Sequence, residues 1–230
     1  MFKTSDRLFS GFSPQTLGFL KDLKANNNRI WFAEHRSEYL KYLANPLKDL
    51  TSSLLPMILE LDPEIITAPN RHISRINRDT RYSKDKSPYW TNPWVAFRRP
   101  LENWFRAPTW FFEVHETGYS YGMNVYKPYS TTMRRFREKI DDDPDRFLHV
   151  TAFLKRSRSF RLETVKYKRA FPCPHSKTIE PWYRSKDIEV VCRRKIDRLL
   201  FSPKLVDTML DGFVQMKPLY DYLWSVTVLG

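Results

Sequence analysis

Thr109–Tyr126 reads TWFFEVHETGYSYGMNVY, and its period decides the fold class. Over the first eight residues the side chains alternate. Trp110, Phe112, Val114 and Glu116 fall on one face of an extended chain, and Phe111, Glu113 and His115 on the other. Thr117-Gly118 then reads as a hairpin turn, with YSYGMNVY as the returning strand. Upstream, HISRI (72–76) and WVAFR (94–98) are short and β-like, so three or four antiparallel strands are expected between Ile65 and Tyr126. DIEVVCRR (187–194) reads as one more strand, while the stretch from Phe160 to Trp182 reads as irregular and basic.

On both sides of this region the period is helical. Ser13 suits an N-cap and Pro14 a first helical position, after which Leu17, Leu20 and Leu23 recur until Asn26–Asn28 stops the helix. A second helix starts near Arg29 with the stripe Trp31, Phe32, His35, Tyr39, Tyr42 and Leu43, and Pro46 interrupts or kinks it. Leu47, Leu50, Leu54, Ile58 and Leu61 carry the pattern on. Downstream, YSTTMRRFREKID and DDPDRFLHVTAFLKR are amphipathic, the second with aspartates in its first turn and Lys155 and Arg156 in its last. A final helix runs from Ser202 as cap. The expectation is an α+β fold, with a central antiparallel sheet of roughly 4–6 strands flanked by N- and C-terminal helices. It forms a single domain over residues 1–230, with a short flexible N-terminus to about residue 12.

Composition excludes several classes. Aromatic residues make up 15% and apolar residues 41%, which is a core-forming chain and not a disordered one. Two cysteines, Cys173 and Cys192, make neither a zinc ribbon nor a disulfide framework. No apolar run is long enough to span a bilayer and the N-terminus has no signal core, so the reducing cytoplasm is the expected compartment and no membrane partner is expected. Walker A, dinucleotide, zinc-protease and nucleophile-elbow patterns are absent, and six glycines are too few for a glycine-lined phosphate cradle. The net charge of +13 attracts polyanions without naming one.

One segment stands apart. RINRDTRYSKDKSPY (75–89) carries Arg75, Arg78 and Arg81 three residues apart, with Asp79, Asp85, Lys84 and Lys86 between and after them. From Arg71 to Tyr89 the balance is +4, so its own aspartates cannot neutralise it. Guanidinium groups present paired donors that match carboxylates and phosphates. Ile73 and Ile76 look like the last strand residues, which sets NRDTRYSKDKSPY on a long loop where sites concentrate. Two readings stand open. In one the loop is a scaffold, with Asp79 pairing Arg78 or Arg81, Asp85 capping a turn, and Tyr82 and Tyr89 pinning it. In the other, Arg75, Arg78 and Arg81 grip an anion, Asp79 orients them, and Lys86 and Tyr89 close the edge.

The segment also fits R-x-x-R-D-x-R-[FY]-x-x-D-K-x-P-Y. That pattern resembles the signature of an uncharacterised bacterial family, a domain of unknown function of about this chain's length. NNNRIWFAEHRSEYL resembles the family's Asn-rich turn and Trp-Phe helix, YGMNVYKPYSTTMRRFREKI its glycine–methionine turn and following helix, and MKPLYDYL its C-terminal helix. Tyr82 stands where phenylalanine is usual, and Tyr121-Gly122-Met123 has fewer glycines than many relatives. The resemblance implies near full-length membership, and no activity or catalytic residue comes with it.

Chemistry would need more than arginine. Glu113 and His115 share a strand face, and with Asp79 they are the candidate catalytic groups. Glu113 and Asp79 could hold a divalent cation, and the His115 imidazole could serve as a base. The alternative is that Glu113 neutralises arginine and His115 is a half-exposed strand residue. No resident metal and no cofactor are implied, and enzyme and binding protein both stay open. The expected partner is a phosphate-containing ligand at the Arg75–Tyr89 loop. The alternative is a nucleic-acid or interaction module using Lys155–Arg169, where seven basic residues and one acidic residue interleave with Phe160 and Tyr167.

Overall fold

The computed structural model describes residues 9–81, 83–168 and 172–228. Among them the helices α1 (Pro14–Ala25), α2 (Arg29–Glu34), α3 (Arg36–Tyr39) and α4 (Asn45–Leu61) come first. They are followed by the strands β1 (Trp94–Phe97), β2 (Thr109–His115) and β3 (Gly118–Val125). Helices α5 (Ser130–Asp142) and α6 (Pro144–Arg156), strand β4 (Phe160–Glu163), helix α7 (Glu180–Tyr183), strand β5 (Ile188–Lys195) and helix α8 (Lys204–Trp224) complete the order. The expected α+β architecture is present: one five-stranded antiparallel sheet in the order β1-β2-β3-β5-β4, with the helices before, between and after its strands.

The chain divides into two compact units. The first gathers residues up to Phe97, Phe112–Ser120 and Arg194–Leu210. Its core is the buried stripe Leu20 and Leu23 of α1 with Leu47, Leu50, Leu54 and Ile58 of α4, the i, i+3, i+4 spacing read from the sequence. Of the N-terminus expected to be flexible, Phe9–Phe12 is packed. Phe9 and Phe12 are buried, Phe12 stacks on Phe112 at 5.5 Å, and the Phe12 amide donates to the Leu200 carbonyl at 3.0 Å. Gly11 makes that approach possible. Its φ is +115°, and a Cβ there would lie 2.4 Å from the Phe201 carbonyl carbon.

The second unit gathers Arg98–Phe111, Tyr121–Arg193 and the chain from Asp211. Trp110 is fully buried, stacked on Tyr220 at 4.4 Å and tilted against Phe213, while Phe136, Phe147, Trp182 and Tyr222 form a ring cluster. The 15% aromatic content is spent largely inside these cores.

Three local expectations are corrected. HISRI is not a strand: Ile73 makes one isolated bridge to Val95, and two main-chain bonds, Ser74 to Trp94 and Ala96 to His72, lay it along the outer side of β1. Phe160–Glu163, within the stretch read as irregular, is β4, paired Phe160 to Cys192 through Glu163 to Glu189. Tyr121-Gly122-Met123 is not a turn but the middle of β3. A Cβ on Gly122 would lie 2.0 Å from the Val190 carbonyl oxygen of β5, so glycine here permits close strand approach.

Candidate anion site

The arginine loop is closed at its neck by main-chain pairing. Asn77 and Tyr89 form a bridge, the Arg78 amide donates to Pro88 at 2.8 Å, and the Trp90 amide donates to Ile76 at 2.9 Å. The neck is tied to the asparagine run. Asn27 donates from Nδ2 to the Tyr89 carbonyl at 2.9 Å and accepts from the Tyr89 amide at 3.1 Å. The Tyr89 ring is buried and stacks on Phe32 at 4.1 Å. Tyr89 is therefore an anchor of the loop. Its companion in the scaffold reading, Tyr82, lies outside the described residues. The asparagine run has a second use: Asn28 caps α2 by accepting from the Trp31 amide at 3.0 Å.

Inside the loop the aspartates neutralise two of the three arginines. Asp79 takes Arg81 in a forked pair, with Nη2 at 2.7 Å and Nε at 3.0 Å, and also accepts the Arg81 amide at 3.1 Å. Arg78 pairs with Asp85, donates to Ser83 Oγ at 3.1 Å and lies 4.6 Å above the Trp90 ring. Asp85 also accepts from the Ser87 hydroxyl at 2.7 Å and the Ser87 amide at 2.9 Å. Both carboxyls are thereby held at a pKa of about 2, Asp79 chiefly by the Arg81 guanidinium and Asp85 chiefly by the Ser87 hydroxyl and amide, with Arg78 next. Lys86 donates to the Thr80 carbonyl at 2.9 Å. Among the described residues Asp79 pairs with Arg81, while Arg78 pairs with Asp85.

Arg75 differs. It is exposed and makes no hydrogen bond or ion pair among the described residues. It lines a cavity of about 310 Å³ bounded on one side by Tyr39, Leu43, Asn45, Leu47 and Lys48, and on the other by Asn70 and the Ile73–Ile76 segment with Pro93. Lys48 likewise makes no ion pair among the described residues. Burial pushes the Tyr39 phenol pKa up against the opposing pull of the Arg36 charge. The helical wall owes its shape to a π-helical turn, Leu40–Ala44, between α3 and α4. Such a turn widens the helix locally and recurs at functional sites. It absorbs the register before Asn45-Pro46, where the proline stands in the first turn of α4. Sequence reading placed Arg75 among the site residues, but it missed Lys48, Tyr39 and Asn70. Their only signal was the break at Pro46, because they join Arg75 through tertiary contact.

The remaining candidates are dispersed. Glu113 accepts from Asn92 Nδ2 at 2.9 Å and makes no direct ion pair with an arginine among the described residues. His115 meets Thr117 Oγ1 at 3.0 Å through Nδ1. The carboxylates of Asp79 and Glu113 thus have separate partners, and no group of three or more His, Cys, Asp or Glu among the described residues is placed to hold a metal ion. In the basic segment, Lys155, Arg156, Arg158, Arg161, Lys166 and Lys168 are described and exposed, while Arg169 lies outside the described residues. Phe160 is buried edge-on to Tyr121, so it is not available to stack on a base. Tyr167 already has Lys186 at 5.3 Å over its ring.

Fold and loop define an α+β protein in which helices accompany a five-stranded antiparallel sheet and an ion-paired arginine loop stands beside a cation-lined cleft. The chain belongs to the family of conserved hypothetical proteins DUF2461, which it matches over residues 15–222. A comparison with curated proteins found no match. Among the described residues no helix is long and apolar enough to cross a membrane.

Proposed function

We propose that the protein binds an anionic ligand, a phosphate or a carboxylate, in the cleft beside Arg75. The observation that carries this reading is that Arg75 and Lys48 border one cavity and neither is neutralised by a protein carboxylate among the described residues. Two cations facing one concavity repel each other, and an anion relieves that repulsion. The ion-paired part of the loop supports the site indirectly. Arg78 and Arg81 are engaged by Asp85 and Asp79, which leaves Arg75 as the arginine of the loop without a carboxylate partner among the described residues. In this reading Arg75, the first arginine of the loop, carries the binding. Asn45, Asn70 and Tyr39 line the same cavity and add polar residues to it. The reading includes a cytoplasmic location, in keeping with Cys173 and Cys192 both being free thiols.

Calorimetric titration with inorganic phosphate and with a phosphate monoester tests it. Arg75→Ala is expected to weaken binding by about ten- to a hundredfold, the range of a lost charge-assisted hydrogen bond. Equal affinity in the variant and the wild type refutes the site.

A further inference from the structure

We infer that the ligand of the Arg75 cleft is an amphipathic anion, with one oxyanion head held between Arg75 and Lys48 and a compact apolar body laid against Leu43, Leu47, Ile73 and Pro93. The inference rests on the anion reading above and adds the chemistry of the rest of the molecule.

The cavity's two ends differ in character. Lys48, Arg75, Asn45 and Asn70 are exposed residues at its rim, whereas Leu43 and Leu47 are buried residues of the helical wall and Ile76 is buried in the facing segment. Near 310 Å³ the cleft is at the lower bound of small-molecule sites, which run from about 300 to 1,000 Å³. A bare phosphate would occupy only a fraction of that space and leave the rest of it to water. A polyanion such as a nucleotide triphosphate would bring more charge than two cations match. One acidic group on a short aliphatic or aromatic body satisfies both ends. The head meets the two cations, and the body removes apolar surface from water. The π-helical turn Leu40–Ala44 contributes Leu43 and Ala44 to that wall, so the irregularity in the helix lies where the body would rest.

The test is a pair of homologous series titrated into the full chain by calorimetry: acetate, butanoate and hexanoate, and inorganic phosphate, butyl phosphate and hexyl phosphate. Affinity is expected to rise by about fourfold per buried methylene in at least one series. The series that binds more tightly names the head. Ala44→Phe, which fills the wall and leaves both cations in place, is expected to abolish the chain-length dependence while retaining phosphate binding. Arg75→Ala is expected to weaken every member of the series. If phosphate binds as tightly as hexyl phosphate, and acetate as tightly as hexanoate, the amphipathic ligand is overturned while the anion site stands. If no anion binds, or if Arg75→Ala leaves every affinity unchanged, both readings fall.

Discussion

Arg75, Arg78 and Arg81 share a residue type and a three-residue spacing, yet their neighbours give them different states. A forked carboxylate takes Arg81, and a carboxylate and an indole face take Arg78. Arg75, next to the apolar Ile73–Ile76 edge, is left facing a cavity. Removing one partner of a pair frees a charge, so Asp79→Asn is expected to release Arg81 and loosen the loop without touching the Arg75 cleft. Hydrogen exchange would then speed at the Arg81 amide, which Asp79 accepts, while the affinity measured for phosphate stays at the wild-type value. Protonation makes the same point. Both folded-state carboxyl pKa values are depressed to about 2, below the ordinary aspartate value of about 3.9. Their contribution to the loop is therefore present above pH 4 and lost as the pH falls from about 4 through 2. A carbon-detected titration of the two side-chain carboxyls should show midpoints near 2, and midpoints at the ordinary value would contradict the pairing seen here.

At the scale of elements, the loop depends on a distant turn. Asn27 of the α1–α2 connection holds both main-chain groups of Tyr89, and each of these partly buried bonds loses its partner in Asn27→Ala. A destabilisation of about 1–3 kcal/mol is expected in denaturant unfolding, with the midpoint moving and the slope unchanged. Gly122 in β3 offers a second test. Gly122→Ala would drive a methyl into the Val190 carbonyl of β5, and an overpacking cost of about 1–3 kcal/mol or more is expected in the same measurement.

These elements also mark what could be read in advance. Helices α1 and α4 and the β2–β3 hairpin were legible because each carries its own periodic apolar pattern, together with Ser13-Pro14 and Thr117-Gly118 as punctuation. Strand β4 was not, since FRLE is four residues long and becomes a strand only through pairing with β5. HISRI carries strand-like residues but finds a single bridge partner. Gly122 fell within the stretch whose alternation reads as the returning strand, and only the family resemblance made it a turn, since glycine favours turns and close strand contacts alike. For the site, Arg75 was visible in the motif, whereas Lys48 and Tyr39 come from helices nearly thirty residues or more upstream and meet it only in the fold.

Across the whole molecule, the net charge of +13 means that weak, salt-sensitive attraction to any polyanion is expected. It must be separated from binding at the cleft. Single-stranded oligonucleotides should bind weakly, with affinity falling steeply as salt rises, and neutralising Lys155, Arg156, Arg158 and Arg161 should reduce that attraction without changing phosphate affinity. An oligonucleotide affinity that persists at high salt would instead point to a built nucleic-acid surface, for which buried Phe160 offers no platform. Family membership spans residues 15–222, so it takes in both walls of the cleft as well as the arginine loop.

The most direct test is a crystal soaked with phenyl phosphate. The account predicts difference density for the phosphate between the Arg75 guanidinium and Lys48 Nζ, with the ring against Leu43 and Leu47, and with Arg78 and Arg81 still paired to Asp85 and Asp79. Density bound instead at Arg78 or Arg81 with their aspartates displaced, or an empty cleft at saturating ligand, would contradict it.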